Sequence, residues 1–139
     1  AGTVLADHAQ DWFDMDRLYE SPHMMYAVDV LKSMIEKIPC ITHVDGTCRI
    51  QTLTEDQNPN YYKLIEAFYE LTGVPILFNT SFNLAGDTIV ETIDDALQTM
   101  RESEICYLYL PEKAELLFIP DALEPSIKRL TYKDCNSLL

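Results

Sequence analysis

The stretch VPILFNTSFNLAGDTIV, residues 74–90, sets an apolar run against a polar one. Residues 74–78 are typical of a buried strand, with Pro75 tolerated at its start. The strand then ends in Asn-Thr-Ser (79–81), which supplies hydroxyls, an amide and free backbone N–H groups at the edge where α/β sheets usually bind ligands. Gly86 allows close backbone approach or a positive φ. The stretch predicts either a ligand-binding strand end or an ordinary polar turn.

Composition limits the kinds of partner. The chain has 139 residues, of which 47% are apolar, and this is enough for one domain with a core. Its formal net charge of −13 disfavours nonspecific binding to nucleic acid or to anionic lipid. The same charge still permits one specific phosphate site.

The sequence also predicts a cytoplasmic protein. No apolar run approaches the ~20 residues of a membrane helix, and no signal peptide is visible. The cysteines are too sparse for a disulfide framework and match no zinc-binding pattern, so we expect reduced thiols. They are Cys40, Cys48, Cys106 and Cys135.

Apolar periodicity predicts three helices. The clearest covers residues 58–72, where Asn58 can cap the helix and Gly73 can end it in a left-handed conformation. Residues 93–102 follow a capping-box pattern. Residues 3–14 carry large apolar side chains at helical spacing.

Short apolar runs predict strands. Because these runs mix with helices without strict alternation, we expect an α/β fold of the α+β type: a single domain over residues 1–139, with a mixed twisted sheet and flanking helices. The segment 41–53 reads either as two strands or as one strand bent at an Asp-Gly pair. The predicted strands are 24–31, 41–53, 74–78, 105–110 and 115–119.

The motif HVDGTCRIQT, residues 43–52, is the second candidate binding element. If the chain is extended here, Thr47, Arg49 and Gln51 share one face. Arg49 is the only Lys or Arg in residues 38–62, and a guanidinium suits bidentate binding of phosphate or carboxylate. The alternative is a solvated strand face with an ion-paired arginine.

Other polar residues of the two motifs carry weaker signals. His43 is either a ligand-contacting group or a structural imidazole. Asp45 and Asp87 are candidate ligands for Mg²⁺ beside a nucleotide, although two isolated acids are weak evidence. Ser81 lacks the GxSxG context of a serine-hydrolase nucleophile, and no His follows it.

Three segments together resemble the C-terminal region of the large carbamoyltransferases. They are SPHMMYAV (21–28), HVDGTCRIQTL (43–53) and NPNYYKLIEAFYELTGVPILFNTSFNLAGDTIVETIDDAL (58–97). That family includes nodulation-factor, aminoglycoside and cephalosporin O-carbamoyltransferases. The resemblance is collinear over about residues 1–110, and the pairing of HVDGTxR with NTSFN is highly specific.

The resemblance implies a fold and an activity. Family members have a larger N-terminal domain, similar to actin-type ATPases, which transfers the carbamoyl group. Their C-terminal domain resembles the YrdC fold and converts carbamoyl phosphate and ATP to carbamoyl adenylate. The resemblance therefore implies ATP as cosubstrate and leaves open whether Mg²⁺ binds with it. The partner that it implies is the N-terminal domain of the same protein. RNA binding, by analogy with YrdC proteins, is disfavoured by the net charge of −13, and we expect neither a nucleic acid nor a membrane as partner.

The resemblance also implies a set of site residues. By their match to the motifs, Arg49 and Ser81 are expected to lie in the carbamoyl-phosphate and nucleotide pocket and to act in catalysis. The neighbouring positions are expected to bind substrate or nucleotide. They are His43, Thr47, Asn79, Asn83 and Gly86.

This sequence departs from the family pattern in two ways. Where relatives often have Arg-Gly-Glu-Pro after NTSFN, it has Ala-Gly-Asp-Thr (85–88), which removes one cation. It also lacks the basic residues that relatives carry just upstream. We therefore expect a C-terminal portion of a longer enzyme that is inactive in isolation. The alternative is a non-catalytic module of the same fold that binds a nucleotide or anion, or docks to a protein.

Overall fold

The computed structural model describes residues 1–119 and the strand Lys128–Thr131. The chain divides into two compact units, Ala1–Thr80 and Ser81–Leu139, and each is described by itself below. Helices and strands occur together and one sheet is mixed, so the predicted α+β class is confirmed.

A five-stranded sheet forms the centre of the first unit. The strands lie in the order β2-β3-β4-β1-β5. β1 pairs with β4 in parallel and with β5 in antiparallel orientation, while β3 is antiparallel to both β2 and β4. The strands are β1 (Gly2–Leu5), β2 (Phe13–Asp14), β3 (Tyr26–Val30), β4 (Thr47–Leu53) and β5 (Ile76–Phe78).

The two faces of this sheet differ in how they are covered. One face carries the larger core, which includes Val4, Cys48 and Ile50 and is closed by the short helix α1 (Ala9–Trp12) and by loop residues of 31–46. The opposite face has a smaller apolar cluster of Leu5, Leu53 and Ile65. This smaller cluster covers only part of its face, so the rest is left to polar side chains.

Helix α2 (Pro59–Thr72) supplies Ile65 to the smaller cluster. The Asn58 side chain caps it by accepting a hydrogen bond from the backbone N–H of Tyr61 at 3.1 Å. Gly73 ends it at φ 72°, in the left-handed region where a side chain would be strained. The predicted helix and both of its end signals are confirmed.

Two predictions in the first unit were wrong in part. Residues 3–14 do not form one helix, because Gly2–Leu5 is a strand buried on both faces, which removes the alternation that marks a half-exposed strand. Of residues 41–53, only Thr47–Leu53 is extended. The preceding residues turn at Gly46, whose φ of 85° suits glycine. β5 is confirmed, although it ends the sheet and leaves Phe78 59% exposed.

The second unit contains one longer helix and a three-stranded antiparallel sheet. Helix α3 (Ile93–Glu102) begins with the predicted capping box and buries Met100. The strands β6 (Tyr107–Leu110), β7 (Glu115–Phe118) and β8 (Lys128–Thr131) pair in that order. The predicted strands at 105–110 and 115–119 are confirmed.

Three of the cysteines lie in the described residues and form no disulfide there. Cys48 lies in the core, and its burial raises the pKa of its thiol. Cys135 lies outside the described residues. None of the helices described is both long enough and apolar enough to cross a membrane.

Candidate functional site

Strand β4 places Arg49 on an open face of the sheet. Cys48, Ile50 and Thr52 point into the core side and are buried, whereas Arg49 is exposed. This alternation confirms the predicted facing of the strand. Arg49 lies opposite Ala27 of β3, a small neighbour that leaves the guanidinium free to reach a ligand.

The uncovered part of this face is polar, and we call it the polar half. Helix α2 covers the carboxyl ends of β1 and β4, where Leu5 and Leu53 lie. The starts of the same strands carry hydroxyl, amide and guanidinium groups in place of apolar side chains. The polar half consists of Thr3, Thr47, Arg49, Gln51 and Asn79.

Asn79 belongs to the polar half because β5 runs antiparallel to β1. The carboxyl end of β5 therefore lies beside the beginning of β1, and the backbone N–H of Asn79 donates to the carbonyl of Ala1 at 2.8 Å. The Asn79 side chain donates from Nδ2 to Thr3 Oγ1 at 3.0 Å and to Gln51 Oε1 at 3.1 Å. The end of β5 thus delivers its amide to a network, as a binding strand end would.

Thr3 and Gln51 complete this network. Thr3 is fully buried and donates to Gln51 Oε1 at 2.9 Å, while Gln51 Nε2 donates to the carbonyl of Pro22 at 2.9 Å. A buried polar network with satisfied members holds its side chains in one orientation. The network therefore fixes the position of Asn79 from two neighbouring strands.

A cleft of about 530 Å³ opens beside this network, and we call it the amide cleft. Its volume falls in the range of small-molecule sites. The Asn79 and Gln51 side chains form part of its wall, and residues before β3 and at the start of α2 form the rest. Among its lining residues are Pro22, His23, Gln51, Gln57, Tyr61 and Asn79.

The turn before β4 carries a second hydrogen-bonded group. Asp45 Oδ1 accepts from the backbone N–H of Thr47 at 3.0 Å and from the Thr47 hydroxyl at 2.8 Å. These bonds, the backbone one first, lower the pKa of the Asp45 carboxyl, and the nearby imidazole of His43 adds to the effect. Asp45 is therefore an anionic anchor for the start of the strand.

His43 takes part in the same turn. Its Nδ1 lies 3.0 Å from Thr47 Oγ1, and the single proton of that hydroxyl is directed to Asp45. His43 Nδ1 must then be the donor, which leaves Nε2 of the neutral ring with its lone pair. The turn presents a hydrogen-bond acceptor next to the strand that carries Arg49.

The predicted site residues of the second unit lie in the loop before α3. Ser81 is exposed. Asn83 Nδ2 donates to the carbonyls of Leu84 at 3.0 Å and Asp87 at 3.2 Å, which holds the loop in a compact turn. Gly86 has a φ of 94°, so of its two predicted uses, close backbone approach or a positive φ, the structure shows the positive φ.

The structure brings some of the predicted site residues together on one face and leaves the placement of the others relative to them a prediction. Thr47, Arg49 and Asn79 lie on one face of the first unit, with His43 bonded to Thr47. Ser81, Asn83 and Gly86 belong to the second unit, so a cleft shared by Arg49 and Ser81 stays a prediction. Among the described residues, no group of three or more His, Cys, Asp or Glu is placed to hold a metal ion. The proposal of Mg²⁺ beside a nucleotide likewise stays a prediction.

Sequence reasoning missed two members of the network. Gln51 was assigned to the face of Arg49 but given no role, although its spacing of two residues from Arg49 was a usable signal. Thr3 was assigned to a helix. No local signal identifies Thr3, because its partners Gln51 and Asn79 are 48 and 76 residues away along the chain.

Comparison with known proteins identifies the class of this chain. The first unit carries an arginine and an amide network on one face of its mixed sheet. The chain belongs to the family described as Carbamoyltransferase C-terminus, which it matches over residues 1–114. The predicted family is therefore confirmed, as is the C-terminal position of the matching region.

Several relatives are similar over most of the matched region. Nodulation protein NolNO of Sinorhizobium fredii is 40% identical over 106 residues, covering 76% of this chain and 16% of that protein. The 3'-hydroxymethylcephem-O-carbamoyltransferase of Streptomyces clavuligerus is 34% identical over 87 residues, covering 63% of the chain and 16% of the relative. An uncharacterized protein of Methanocaldococcus jannaschii is 39% identical over 108 residues, covering 78% and 17%. The chain thus spans less than a fifth of the length of each of these three relatives.

Proposed function

We propose that this chain is the C-terminal part of an ATP-dependent O-carbamoyltransferase, and that it binds carbamoyl phosphate and ATP during formation of carbamoyl adenylate. The observation that carries the proposal is Arg49, an exposed guanidinium on the polar half beside a fixed amide network. A guanidinium of this kind binds phosphate oxygens through two charge-assisted hydrogen bonds. The family of the chain and the name of the cephem relative support the same class of reaction.

In this proposal water first cleaves carbamoyl phosphate to carbamate and inorganic phosphate. A carbamate oxygen then attacks the α-phosphorus of ATP, and pyrophosphate leaves. Such a step depends on positioning and on electrostatic stabilisation of the phosphorus centre. Arg49 supplies charge to the phosphate. Ser81 supplies a hydroxyl hydrogen bond, a role taken from the family motif. Five further residues are proposed to line the binding site: His43, Thr47, Asn79, Asn83 and Gly86. The acceptor that carries the hydroxyl group is bound by a different part of the enzyme.

The test is carbamoyl-phosphate-dependent ATP–pyrophosphate exchange by the full-length protein that carries this sequence. We expect exchange in the wild type and a large loss in Arg49→Ala. Arg101→Ala is the matched control, because Arg101 is also an exposed arginine but lies on α3, outside both motifs. Equal loss in both variants, or none in Arg49→Ala, would contradict the assignment of Arg49.

The second candidate is a non-catalytic module that binds a nucleotide or anion, or docks to a protein. It is favoured by the acidity of the chain, since a net charge of −13 opposes binding of polyphosphates unless several cations compensate. We therefore expect residues 1–139 alone to give no measurable exchange. Robust exchange by the isolated chain would show that basic residues from elsewhere are dispensable.

A further inference from the structure

The orientation of the Asn79 amide follows from a chain of hydrogen bonds that begins at a backbone carbonyl. Pro22 O can only accept, so the Gln51 atom at 2.9 Å from it is the donor Nε2. Gln51 Oε1 therefore faces the other way, towards Thr3 and Asn79. The assignment of the Gln51 amide is thus fixed by an atom whose identity is not in question.

The same reasoning fixes Asn79. The Asn79 atom that lies 3.1 Å from the acceptor Gln51 Oε1 has to be Nδ2. Nδ2 also donates to Thr3 Oγ1, whose own proton goes to Gln51 Oε1. Nδ2 is thus bonded within the network, and Oδ1 is the remaining polar atom of the side chain. Among the described residues, no group donates to it.

The remaining atom determines what Asn79 can bind. A carbonyl oxygen accepts hydrogen bonds and repels the oxygens of an ionised phosphate, which also only accept. A ligand group at Asn79 must therefore bring an N–H or O–H. Arg49, on the same face of β4 as Gln51 and two residues away, lies about 7 Å along the strand from it and offers only donors. The polar half thus has a donor end for an oxyanion and an acceptor end for a proton donor.

We infer that Asn79 accepts a hydrogen bond from an N–H of the bound ligand, and that Thr3 and Gln51 are positioning residues that hold Oδ1 ready for it. The inference rests on the proposed function for the identity of the ligand. Two sources offer the required chemistry: the amide of carbamoyl phosphate and the exocyclic amino group of adenine. The amide cleft, at about 530 Å³, has room for either group.

The experiment compares ligands that differ only in that N–H, using the full-length protein and calorimetric binding. Acetyl phosphate replaces the amino group of carbamoyl phosphate by a methyl group, and purine riboside triphosphate lacks the amino group of ATP. We expect the wild type to prefer one N–H ligand to its analogue by about tenfold, the worth of one well-placed hydrogen bond. Inorganic phosphate serves as the probe for the oxyanion end.

The variants separate contact from positioning. Asn79→Ala should remove the preference while leaving the affinity for inorganic phosphate unchanged. Thr3→Val keeps the shape of the buried side chain and should lower the preference several-fold by releasing Asn79. Asn60→Ala is the matched control and should keep the preference, because Asn60 is an exposed asparagine on α2 that does not line the amide cleft. In Thr3→Val, the side-chain NH₂ protons of Asn79 should exchange faster with solvent by NMR, with the backbone spectrum retained.

Each outcome decides the inference. Loss of the carbamoyl-over-acetyl preference supports the amide source, and loss of the ATP preference supports the adenine source. Unchanged preferences in Asn79→Ala would overturn the inference, as would a loss of inorganic phosphate binding equal to that of carbamoyl phosphate. A wild type that binds neither carbamoyl phosphate nor ATP would contradict the proposed function and, with it, the ligand named here. Normal binding without any preference would overturn this inference alone.

Discussion

Arg49 is exposed on a sheet face, and its contribution to binding and catalysis depends on whether a ligand contacts it. If it holds phosphate by two charge-assisted hydrogen bonds, Arg49→Ala should lose about 2–4 kcal/mol of binding or transition-state free energy. Arg49→Lys should restore only part of this, because lysine keeps the charge and loses the planar fork. Activity and thermal midpoint measured on both variants provide the check. If activity is intact and stability changes by no more than about 1 kcal/mol, Arg49 is a solvated surface residue and not part of a binding site.

Asp45 predicts a pH dependence of folding. Hydrogen bonds from Thr47 lower the pKa of its carboxyl in the folded chain below the unfolded value. The stabilisation is therefore complete above about pH 4 and is lost as the pH falls through the folded pKa. In Asp45→Asn, the difference in unfolding free energy between neutral and acid pH should shrink, as measured by denaturant titration at each pH.

The control for this prediction is Asp56→Asn, since the exposed Asp56 carboxylate accepts no hydrogen bond from the described residues. It should leave the acid dependence of stability as it is in the wild type. An acid dependence unaltered by Asp45→Asn would mean that the hydrogen bonds to Thr47 do not persist in solution.

At the scale of single elements, α3 is determined by its own sequence. Thr92 accepts from the backbone N–H of Asp95 at 3.2 Å, and the Asp95 carboxylate accepts from the backbone N–H of Thr92 at 2.9 Å. Thr92→Ala should cost about 1 kcal/mol of stability by removing one half of this reciprocal cap. Chemical denaturation measures the loss. Thr88→Ala, at an exposed loop threonine, is the control and should change little.

The elements show why some predictions succeeded. Both longer helices carry their start and stop signals within a few residues, so Asn58, Gly73 and the capping box identified them correctly. β4 was also identified from a local pattern, the alternation of side chains that put Arg49 and Gln51 on one face. The failure at residues 3–14 has the opposite cause, since a strand paired on both sides takes its identity from distant partners. The Asn79 network was missed for that reason too.

At the scale of the whole molecule, the main electrostatic feature is the excess of negative over positive charge. The formal net charge is −13, and among the described carboxylates other than Glu115 none forms an ion pair with Lys or Arg. Like charges repel across the surface and destabilise the compact state. Raising NaCl from about 20 mM to about 300 mM should therefore raise the thermal midpoint by screening this repulsion.

A KCl series at the same ionic strengths should give the same rise, because screening does not depend on the identity of the cation. A midpoint that falls with salt would show that favourable charge pairs outweigh the repulsion. The strand order and the division into two compact units had no counterpart in the sequence reasoning, and its assignment of residues 1–139 to one domain stays a prediction. Compactness arises from contacts between distant residues, and local patterns do not report them.

The position of β1 between β4 and β5 has a consequence for synthesis on the ribosome. Gly2–Leu5 emerges before the other strands of its sheet, yet its hydrogen-bonding partners lie 48 and 76 residues later, as the Thr3 bonds to Gln51 and Asn79 show. Until β4 has left the exit tunnel, this apolar segment has no sheet to join, and until β5 follows, one of its edges stays unpaired. Closing such long loops costs entropy before the strands gain any stabilisation from pairing. We therefore expect the first unit to complete its folding only after its last strand has been made. The nascent chain therefore carries an unpaired strand for most of the unit's translation, the interval in which a chaperone would find it.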